Sequence, residues 1–336
     1  MRIFTDYSLL RHNTFGIDAR CRRFIEIESV DDACRLHLQL NDGEPLLVIG
    51  GGSNLLLTTD YGGTVVRSAI RGVEATVDDG GVTVRAGSGE VWDDLVQTCV
   101  SQGWHGAENL SLIPGDVGAT AVQNIGAYGS EASQIIDHVE AVEIATGGVV
   151  SIPARDCGYG YRQSRFKQEW RGRYLITHVT FRLTTTFTPL LDYGNIRDTL
   201  QKRGIDHPTA QQLRQAIIDI RREKLPDPSV EGNAGSFFMN PVVSREKFQE
   251  LLAAYPQMPH YSLAGGKEKI PAGWLIEQCG WKGRSLGRAG VHSRQALVLV
   301  NHGGATGADV VELSKAIRRD VSLRFGIEIS PEVNIC

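Results

Sequence analysis

The chain has 336 residues, enough for roughly two or three packed domains with a sizeable core. Hydrophobic residues make up 41 % and charged residues 22 %, so the composition excludes a disordered or fibrous protein. The 35 basic and 39 acidic residues give a net charge of -4, and we expect no nucleic-acid or anionic-membrane partner. The 38 glycines occur in clusters, which is typical of backbone that approaches a ligand closely.

The first residues place Arg2, Asp6, Arg11 and His12 around short apolar stretches, so they lack the apolar region of a secretory signal. No other stretch approaches the ~18 apolar residues of a membrane-spanning helix. The six cysteines contain no CxxC pair and no histidine partner at metal-ligand spacing. We therefore expect a cytoplasmic protein with reduced thiols and no metal site.

The first half of the chain is predicted to be rich in strands. Short β-branched runs bounded by Gly, Asn or Asp lie at residues 45–50, 54–57, 63–70 and 82–87. A helix is predicted over residues 90–103, where an apolar stripe ends at Gly103; the stripe consists of Val91, Leu95, Val96, Cys99 and Val100. Residues 139–152 read as two strands joined through Gly147 and Gly148, and residues 174–183 alternate as a half-buried strand does.

The second half is predicted to be richer in helix. Helical periodicity and capping residues lie at residues 209–224, 244–255, 271–280 and 306–326. Thr209 and Ser244 are candidate N-caps, while Thr306 and Asp309 have the spacing of a capping box in a helix that Gly326 closes. The fold class is therefore α+β, and a composition shift over residues 183–192 predicts a domain boundary.

Two glycine-rich segments are candidates for chemistry. In the first, Gly50, Gly51, Gly52, Ser53 and Asn54 separate two apolar runs, so successive backbone N–H groups can turn inward around an anion such as a pyrophosphate. The segment has neither the G-x-G-x-x-G spacing of a dinucleotide fingerprint nor the Lys-Ser/Thr of a P-loop. A plain turn between two strands is the alternative.

The second segment, LIPGDVGATAVQNIGAYG, covers residues 112–129. It shows no regular periodicity, and a long irregular stretch inside a compact domain is usually functional. An ordered surface loop without a ligand is the alternative.

These segments, together with three later ones, resemble a known family. GGGSN and IPGDVGA…QNIGAYG resemble the FAD-binding domain of the vanillyl-alcohol oxidase flavoproteins. GYGYRQSRFK (158–167), KLPDPSVEGNAGSFFMNP (224–241) and SPEV (330–333) resemble the signature of UDP-N-acetylenolpyruvoylglucosamine reductases. The matching stretches run in the same order from His12 to Val333 and cover essentially the whole chain.

The resemblance implies an α+β fold in which an FAD-binding domain of the vanillyl-alcohol oxidase (PCMH) type, residues 1–186, precedes a smaller α+β substrate-binding domain, residues 187–336. It implies that NADPH reduces non-covalent FAD, which then reduces the enolpyruvyl group of UDP-N-acetylglucosamine enolpyruvate to give UDP-N-acetylmuramate for peptidoglycan. The protein is expected to be a monomer of the longer family type, in which a tyrosine-bearing loop closes over the substrate.

The resemblance also implies three catalytic residues. Hydride addition to the terminal vinyl carbon leaves a carbanion next to a carboxylate, so the site must stabilise negative charge and protonate carbon. Arg162 would stabilise the charge, Ser236 would donate the proton, and Glu332, on a C-terminal strand that returns to the active site, would join Arg162. A surface ion pair, a turn serine and a solvated glutamate are the structural alternatives.

Substrate and cofactor contacts are carried over in the same way. Tyr193 and Lys224 resemble contacts to the nucleotide diphosphate, and Asn240 and Gln295 resemble further substrate contacts. Met239 stands where many relatives carry lysine, so one cationic contact is expected to be missing. The expected FAD contacts are Gly50, Gly51, Gly52, Ser53, Asn54, Leu55, Ile113, Pro114, Gly115, Gly118, Ala119, Gln123, Asn124, Gly126 and Tyr128.

Two other functions remain open from the sequence. One is a flavin oxidase that oxygen reoxidises; many of these tether FAD to His or Cys, and neither glycine-rich segment contains one. The other is a flavin-binding module without turnover, which would have no need for Arg162, Ser236 and Glu332 in three separate matching motifs.

Overall fold

The computed structural model describes all 336 residues and divides the chain into two compact units. The first unit comprises residues 1–7, 21–51 and 62–223, and the second comprises residues 8–20, 52–61 and 224–336. Each unit combines strands with helices, so the predicted α+β class is confirmed. The division into two domains after residue 186 is a different division of the chain and stays a prediction.

The strands are short and are distributed along the whole chain. In chain order they are β1 (Arg2–Ser8), β2 (Arg20–Ile27), β3 (Leu46–Ile49), β4 (Leu55–Leu56), β5 (Tyr61–Ser68), β6 (Val73–Asp78), β7 (Gly81–Gly87), β8 (Gly126–Ala127), β9 (Ser130–Glu131), β10 (Ile136–Glu143), β11 (Val149–Pro153), β12 (Tyr174–Leu183), β13 (Gly232–Ser236), β14 (Val242–Val243), β15 (Tyr261–Leu263), β16 (Lys267–Lys269), β17 (Ser285–Leu286), β18 (Ala289–Val291), β19 (Val298–Asn301) and β20 (Asn334–Ile335).

The α-helices range from one turn to five turns. They are α1 (Val30–Cys34), α2 (Trp92–Gln102), α3 (Val117–Gln123), α4 (Ile196–Gln201), α5 (Ala210–Lys224), α6 (Arg245–Ala254), α7 (Ala272–Gln278) and α8 (Gly307–Phe325).

The first unit contains two main sheets. Five antiparallel strands form one sheet in the order β11-β10-β12-β7-β6, and the other has the order β1-β2-β5-β3 with β3 and β5 parallel. The predicted helix over residues 90–103 is confirmed as α2, which buries Trp92 against Phe181 with ring centroids 5.5 Å apart. Gly103 closes α2 in the left-handed conformation, with φ of 73°.

Strand β12 differs from its sequence prediction. Alternation predicts one solvated face, but Thr177, His178 and Thr180 are buried as well as the apolar residues. The strand pairs with β10 and β7 on its two edges, and apolar clusters cover both of its faces, since Ile176 belongs to one cluster and Leu175 to the other. The prediction of a half-buried strand is therefore wrong.

The second glycine-rich segment also contains more regular structure than its sequence predicts. Residues 112–129 lack helical periodicity, yet Val117–Gln123 form α3. Gly118, Ala119 and Ala121 are too small to produce a recognisable apolar stripe, so the pattern does not reveal the helix. Strands β1 and β2 are likewise absent from the sequence predictions.

The second unit is built from small sheets covered by helices. Its largest sheet has the antiparallel order β13-β19-β18-β17, a second sheet has the order β14-β16-β15, and β4 pairs with β20 in parallel. Three of the four predicted helices, at residues 244–255, 271–280 and 306–326, are present in this unit as α6, α7 and α8. No helix of the protein has both the length and the apolar composition needed to cross a bilayer.

The N-terminus of α8 has the predicted capping box. The Thr306 hydroxyl accepts a hydrogen bond from the Asp309 amide at 3.2 Å, and an Asp309 carboxylate oxygen accepts one from the Thr306 amide at 2.7 Å. We expect Thr306→Ala to lower the free energy of unfolding by about 1 kcal/mol, because it removes the acceptor for one amide of the first turn. Urea denaturation measures the change. Thr98→Ala, at an exposed position inside α2, is the control, and an equal effect of both variants would contradict the capping role.

Candidate functional site

The two glycine-rich segments meet in the first unit. A Cβ atom on Gly50 would lie 3.4 Å from Ala119 Cβ, and one on Gly51 would lie 3.4 Å from Gly115 Cα and 3.3 Å from Asp116 Oδ1. A Cβ on Gly50 would make an ordinary contact, whereas one on Gly51 would press on the Asp116 carboxylate, and a larger side chain at Gly51 would press further on the second segment.

Buried polar atoms without hydrogen-bond partners lie beside this junction. Asp116 Oδ2 has no hydrogen bond, and neither does Arg67 Nε. The Asp116 carboxylate lies 3.7 Å from the Arg67 guanidinium. Burial raises the pKa of Asp116, while the positive charges of Arg67 and Arg71 oppose the rise. The Arg67 N–H is a donor that a phosphate oxygen can use, whereas the Asp116 oxygen requires a donor; FAD, which carries both phosphate oxygens and N–H or O–H groups, can satisfy both.

The remainder of the first segment belongs to the second unit. Gly52 has a left-handed φ of +68°, and a Cβ there would lie 2.0 Å from the carbonyl oxygen of His12. The Asn54 side chain donates to the Glu332 carbonyl at 3.4 Å, and the backbone carbonyl of Asn54 accepts a hydrogen bond from the Asn334 amide at 3.2 Å. Ser53 lies between these residues in the turn, and Leu55 begins β4 beside β20.

The FAD contacts expected in the second segment lie in and around α3. Gly118 approaches Ser88 so closely that a Cβ would lie 2.8 Å from Ser88 Cβ. Ile113 packs on the first unit's core, Pro114 precedes the turn at Gly115, and Gln123 ends α3.

Asn124 closes α3 in a left-handed conformation, and its side chain is fully occupied. Its amide nitrogen donates to Glu131 and to the Gly160 carbonyl, both at 2.9 Å, and its oxygen accepts from the Ser133 amide at 2.9 Å. The backbone N–H of Asn124 donates to the Thr120 carbonyl, so the hydrogen bonds of this residue serve mainly to hold the segment itself.

Arg162 is oriented by backbone of this same segment. Its guanidinium donates to the Gly126 carbonyl at 2.5 Å and to the Asn124 carbonyl at 3.4 Å. A Cβ on Gly126 would lie 2.8 Å from Arg162 Nη1, so only glycine permits this approach. Arg162 itself has a left-handed φ of +56°. Strained conformations of this kind are concentrated at functional sites.

Tyr128 links the second glycine-rich segment to the segment that carries Tyr193. A Cβ on Gly129 would lie 3.4 Å from Tyr193 Cβ, and one on Gly194 would lie 3.8 Å from the Tyr128 ring. The structure thus brings Tyr193 next to the QNIGAYG motif, within the same unit as Arg162.

Three residues that support this region were missed by the sequence analysis. Arg214 donates two bonds to Asp93, at 2.7 and 2.9 Å, and Asp93 accepts another from the Leu112 amide at 2.5 Å. Arg221, two turns further along α5, donates to the Leu112 carbonyl at 3.2 Å, and its charge acts on the Tyr128 hydroxyl. The seven-residue spacing of the two arginines, which places them on one helix face, was the available signal.

The charges of this cluster perturb one another. Burial alone would raise the pKa of Asp93, but the bonds from Arg214 and Leu112 hold it below its ordinary value. Burial lowers the pKa of Arg221, and the nearby Tyr128 and Asp93 oppose that change.

Ser236 and Glu332 lie on neighbouring stretches of the second unit. The Glu332 amide donates to the Phe237 carbonyl at 2.8 Å, and Phe238 and Pro331 form an antiparallel bridge. Ser236 is exposed and follows Gly235, which has a left-handed φ of +68°. Met239 also belongs to this pairing, because its amide donates to the Ser330 carbonyl at 2.9 Å.

Asn240 and Gln295 both lie near the start of α7 and have their amide orientation set by backbone. Asn240 Oδ1 accepts from the Ala272 amide at 2.9 Å, and Gln295 Oε1 accepts from the Leu297 amide at 3.3 Å. A Cβ on Gly273 would lie 3.3 Å from Gln295 Oε1. Because the oxygens are occupied, both side chains are left to offer NH₂ donors. Lys224 is the last residue of α5 and is half-buried.

Comparisons with known proteins agree with these features. Residues 22–152 match the family model of an FAD binding domain, and residues 227–336 match that of the UDP-N-acetylenolpyruvoylglucosamine reductase C-terminal domain. A Bacteroides fragilis protein named UDP-N-acetylenolpyruvoylglucosamine reductase is 54 % identical over 98 % of both chains. A protein of the same name from an Azoarcus species is 47 % identical over 99 % of this chain and 97 % of its own.

A solved structure shows the same fold. The UDP-N-acetylenolpyruvylglucosamine reductase from Thermus caldophilus matches 99 % of this chain and 98 % of its own chain, with a TM-score of 0.67 and 24 % identity. The protein is therefore an FAD-dependent oxidoreductase with an FAD-binding domain followed by a second α+β domain. Within that class, the chain belongs to the UDP-N-acetylenolpyruvoylglucosamine reductase family.

The junction of the glycine-rich segments predicts how FAD binding responds to a side chain there. We expect the purified protein to be yellow and Gly51→Val to weaken FAD binding at least tenfold, because the new side chain would press on Asp116 and Gly115. Fluorescence titration of the apoprotein with FAD measures the affinity. Gly62→Val is the control, because a Cβ there meets no atom within 4 Å. Unchanged affinity in Gly51→Val would remove this junction from the FAD site.

The Asp93–Arg214 pair predicts a pH-dependent contribution to stability. We expect Asp93→Asn to lower the free energy of unfolding at pH 7 by about 1.5–3 kcal/mol, because bonds to an ionised group are lost. Since the folded state lowers the pKa of Asp93, the stabilisation is present above a carboxyl group's ordinary pKa and is lost as the pH falls through the lowered value. The difference between wild type and variant should therefore shrink on acidification below about pH 4. Urea denaturation over this range tests it, with Asp94→Asn, an exposed neighbour, as the control.

Proposed function

We propose that this chain uses NADPH and non-covalent FAD to reduce the enolpyruvyl group of UDP-N-acetylglucosamine enolpyruvate to UDP-N-acetylmuramate, in peptidoglycan precursor synthesis. The observation that carries the proposal is the 54 % identity, over 98 % of both chains, to a protein named UDP-N-acetylenolpyruvoylglucosamine reductase. The residue types in the groups described above supply the chemistry that this reaction requires.

The chemistry that FAD supplies when bound is hydride transfer from NADPH to the terminal vinyl carbon. The residues of the chain then have to manage charge, because the carbon beside the carboxylate becomes electron-rich. We assign this charge stabilisation to Arg162. Two carbonyl acceptors, on Gly126 and Asn124, orient its guanidinium before the substrate arrives, and such preorganisation favours the charged state.

We assign the proton that completes the reduction to Ser236. Its hydroxyl is exposed at the end of β13, so a substrate carbon can approach it. Glu332 is held on the neighbouring stretch by the bond between its amide and the Phe237 carbonyl. We assign Glu332 the role of stabilising the same electron-rich state, as a hydrogen-bond donor when it carries a proton.

We assign binding of the nucleotide diphosphate to Lys224 and Tyr193, with Asn240 and Gln295 as further substrate contacts. The orientation of the two amides supports this assignment, because donors are what phosphate oxygens require. Met239 is uncharged, so it contributes no positive charge to phosphate binding. The residues around the two glycine-rich segments are assigned to FAD as predicted from the sequence.

We also infer a cytoplasmic location and a monomeric state. NADPH and nucleotide sugars are cytoplasmic metabolites, so an enzyme that consumes both is expected to work there. Light scattering of the purified holoprotein tests the monomer, and a dimer mass would overturn it.

The role of Ser236 predicts a selective defect. In Ser236→Ala we expect NADPH to bleach the flavin at the normal rate, because the substitution leaves the NADPH step untouched. Reoxidation by the enolpyruvyl substrate should be slower by about 10²–10⁴, the usual contribution of a general acid. Anaerobic stopped-flow absorbance separates the two half-reactions.

Two further variants make this test decisive. Ser236→Cys keeps a proton donor and should recover part of the rate, whereas Ser229→Ala, at an exposed serine that bonds Asp227, should change neither half-reaction. Wild-type reoxidation in Ser236→Ala would refute the proton-donor role. If NADPH bleaches the wild-type flavin and the enolpyruvyl substrate does not reoxidise it, the proposed function itself is wrong.

A further inference from the structure

Asn109 connects two functional segments of the first unit. It lies in the short 3₁₀ turn Glu108–Leu110 and is only 3 % exposed. Its side-chain nitrogen donates to the Tyr128 carbonyl at 2.9 Å and to the Leu190 carbonyl at 3.0 Å. Both N–H bonds of one buried amide are thus used to join the QNIGAYG motif to the chain three residues before Tyr193.

The turn that carries Asn109 is itself firmly held. The Glu108 carboxylate binds His105 Nδ1 and the Gly106 amide, both at 2.8 Å, and the Ser111 hydroxyl donates to the Glu108 carbonyl at 2.6 Å. These bonds hold the backbone of Asn109 in place. Its side chain therefore fixes the Tyr128 and Leu190 carbonyls relative to the rest of the unit.

Tyr128, the first partner, is constrained at several points. Its backbone is left-handed, with φ of 49°, and the nearby Arg221 charge acts on its hydroxyl. Its ring packs with the apolar cluster around α4 and α5, to which Leu191 also contributes. The bond from Asn109 fixes the carbonyl, so Tyr128 presents a defined surface to Gly194.

The second partner, Leu190, belongs to a stretch without regular structure. Residues 187–192 form neither helix nor strand, and Leu190 and Tyr193 are 53 % and 45 % exposed. Such a stretch has no ladder of backbone hydrogen bonds, so its position depends on a few specific contacts. Asn109 supplies one of these from a buried position, immediately before the chain packs Tyr193 against Gly129.

We propose that Asn109 is the positioning residue for Tyr193: by bridging the Tyr128 and Leu190 carbonyls, it fixes the base of the Tyr193 segment and so places Tyr193 for binding of the sugar nucleotide. This inference rests on the substrate-binding role assigned to Tyr193 in the proposed function. Asn109 lies outside the two glycine-rich segments and outside the motifs that carry Arg162, Ser236 and Glu332.

Asn109→Ala tests the proposal in the holoenzyme. With the flavin site saturated with FAD, we expect KM for UDP-N-acetylglucosamine enolpyruvate to rise about tenfold, a larger change than that in the rate of flavin bleaching by NADPH. Asn109→Asp should behave like alanine, because a carboxylate cannot donate to two carbonyls. Asn109→Ser, which keeps one donor, should give an intermediate KM and provides the test if the alanine variant does not fold.

A double-mutant cycle with Tyr193→Ala distinguishes positioning from general stability. If Asn109 acts through Tyr193, Asn109→Ala raises KM in the wild-type background and adds nothing in the Tyr193→Ala background. Additive effects would overturn the proposal, and so would an unchanged KM in a folded Asn109→Ala protein. Asn13→Ala is the matched control, since this buried asparagine also donates to two carbonyls, those of Leu9 and Ile17, and should leave the cycle untouched.

The KM measured for Tyr193→Ala tests the role of Tyr193 and does not test the function of the enzyme. If Tyr193→Ala leaves KM unchanged, Tyr193 is not a substrate contact and the inference about Asn109 is wrong with it. The reductase activity itself is decided by the two half-reactions of the wild-type enzyme, which are measured without changing either residue.

Discussion

One helix supplies the charges that hold the functional backbone of the first unit. On α5, Arg214 and Arg221 lie two turns apart on the same face. Arg214 binds Asp93, which in turn accepts from the Leu112 amide, while Arg221 donates to the Leu112 carbonyl and its charge acts on the Tyr128 hydroxyl. Leu112 and Tyr128 are both left-handed, which costs about 1–2 kcal/mol each for residues with a side chain. Charge-assisted hydrogen bonds in a buried setting are strong enough to offset that strain.

Glycines in the two glycine-rich segments permit close contacts within the protein itself. At Gly51, Gly118 and Gly126, a Cβ would lie within 3.3 Å of Asp116, Ser88 and Arg162 respectively. The absence of side chains lets the two glycine-rich segments pack on one another and lets a guanidinium reach a backbone carbonyl. The clustering of glycine thus has a physical reason in close contact within the chain.

The sequence predictions succeed where the signal is local. The ends of α2 and α8 are confirmed because a left-handed glycine and a capping box are interactions between residues a few positions apart. The prediction of a half-buried strand fails for β12, because the alternation of its own side chains does not reveal that apolar clusters cover both of its faces. The roles of Asn109 and Arg221 were missed for a related reason: an asparagine in a turn and an arginine on a helix are common, and only their distant partners make them unusual.

What the sequence by itself determined is the family and those elements that carry a local signal, such as α2 and α8, because capping, periodicity and collinear motifs are encoded between near neighbours or in matching segments. What only the tertiary structure decided is which of those residues meet. Ser236 and Glu332 become neighbours through pairing of the backbone on either side of them. Tyr193 contacts Gly129, and three residues before it the chain accepts a hydrogen bond from the buried Asn109 amide of a third segment. The physical reason is that such contacts depend on hydrogen-bond partners far apart in the chain, whose pairing is selected by the burial and packing of the whole unit.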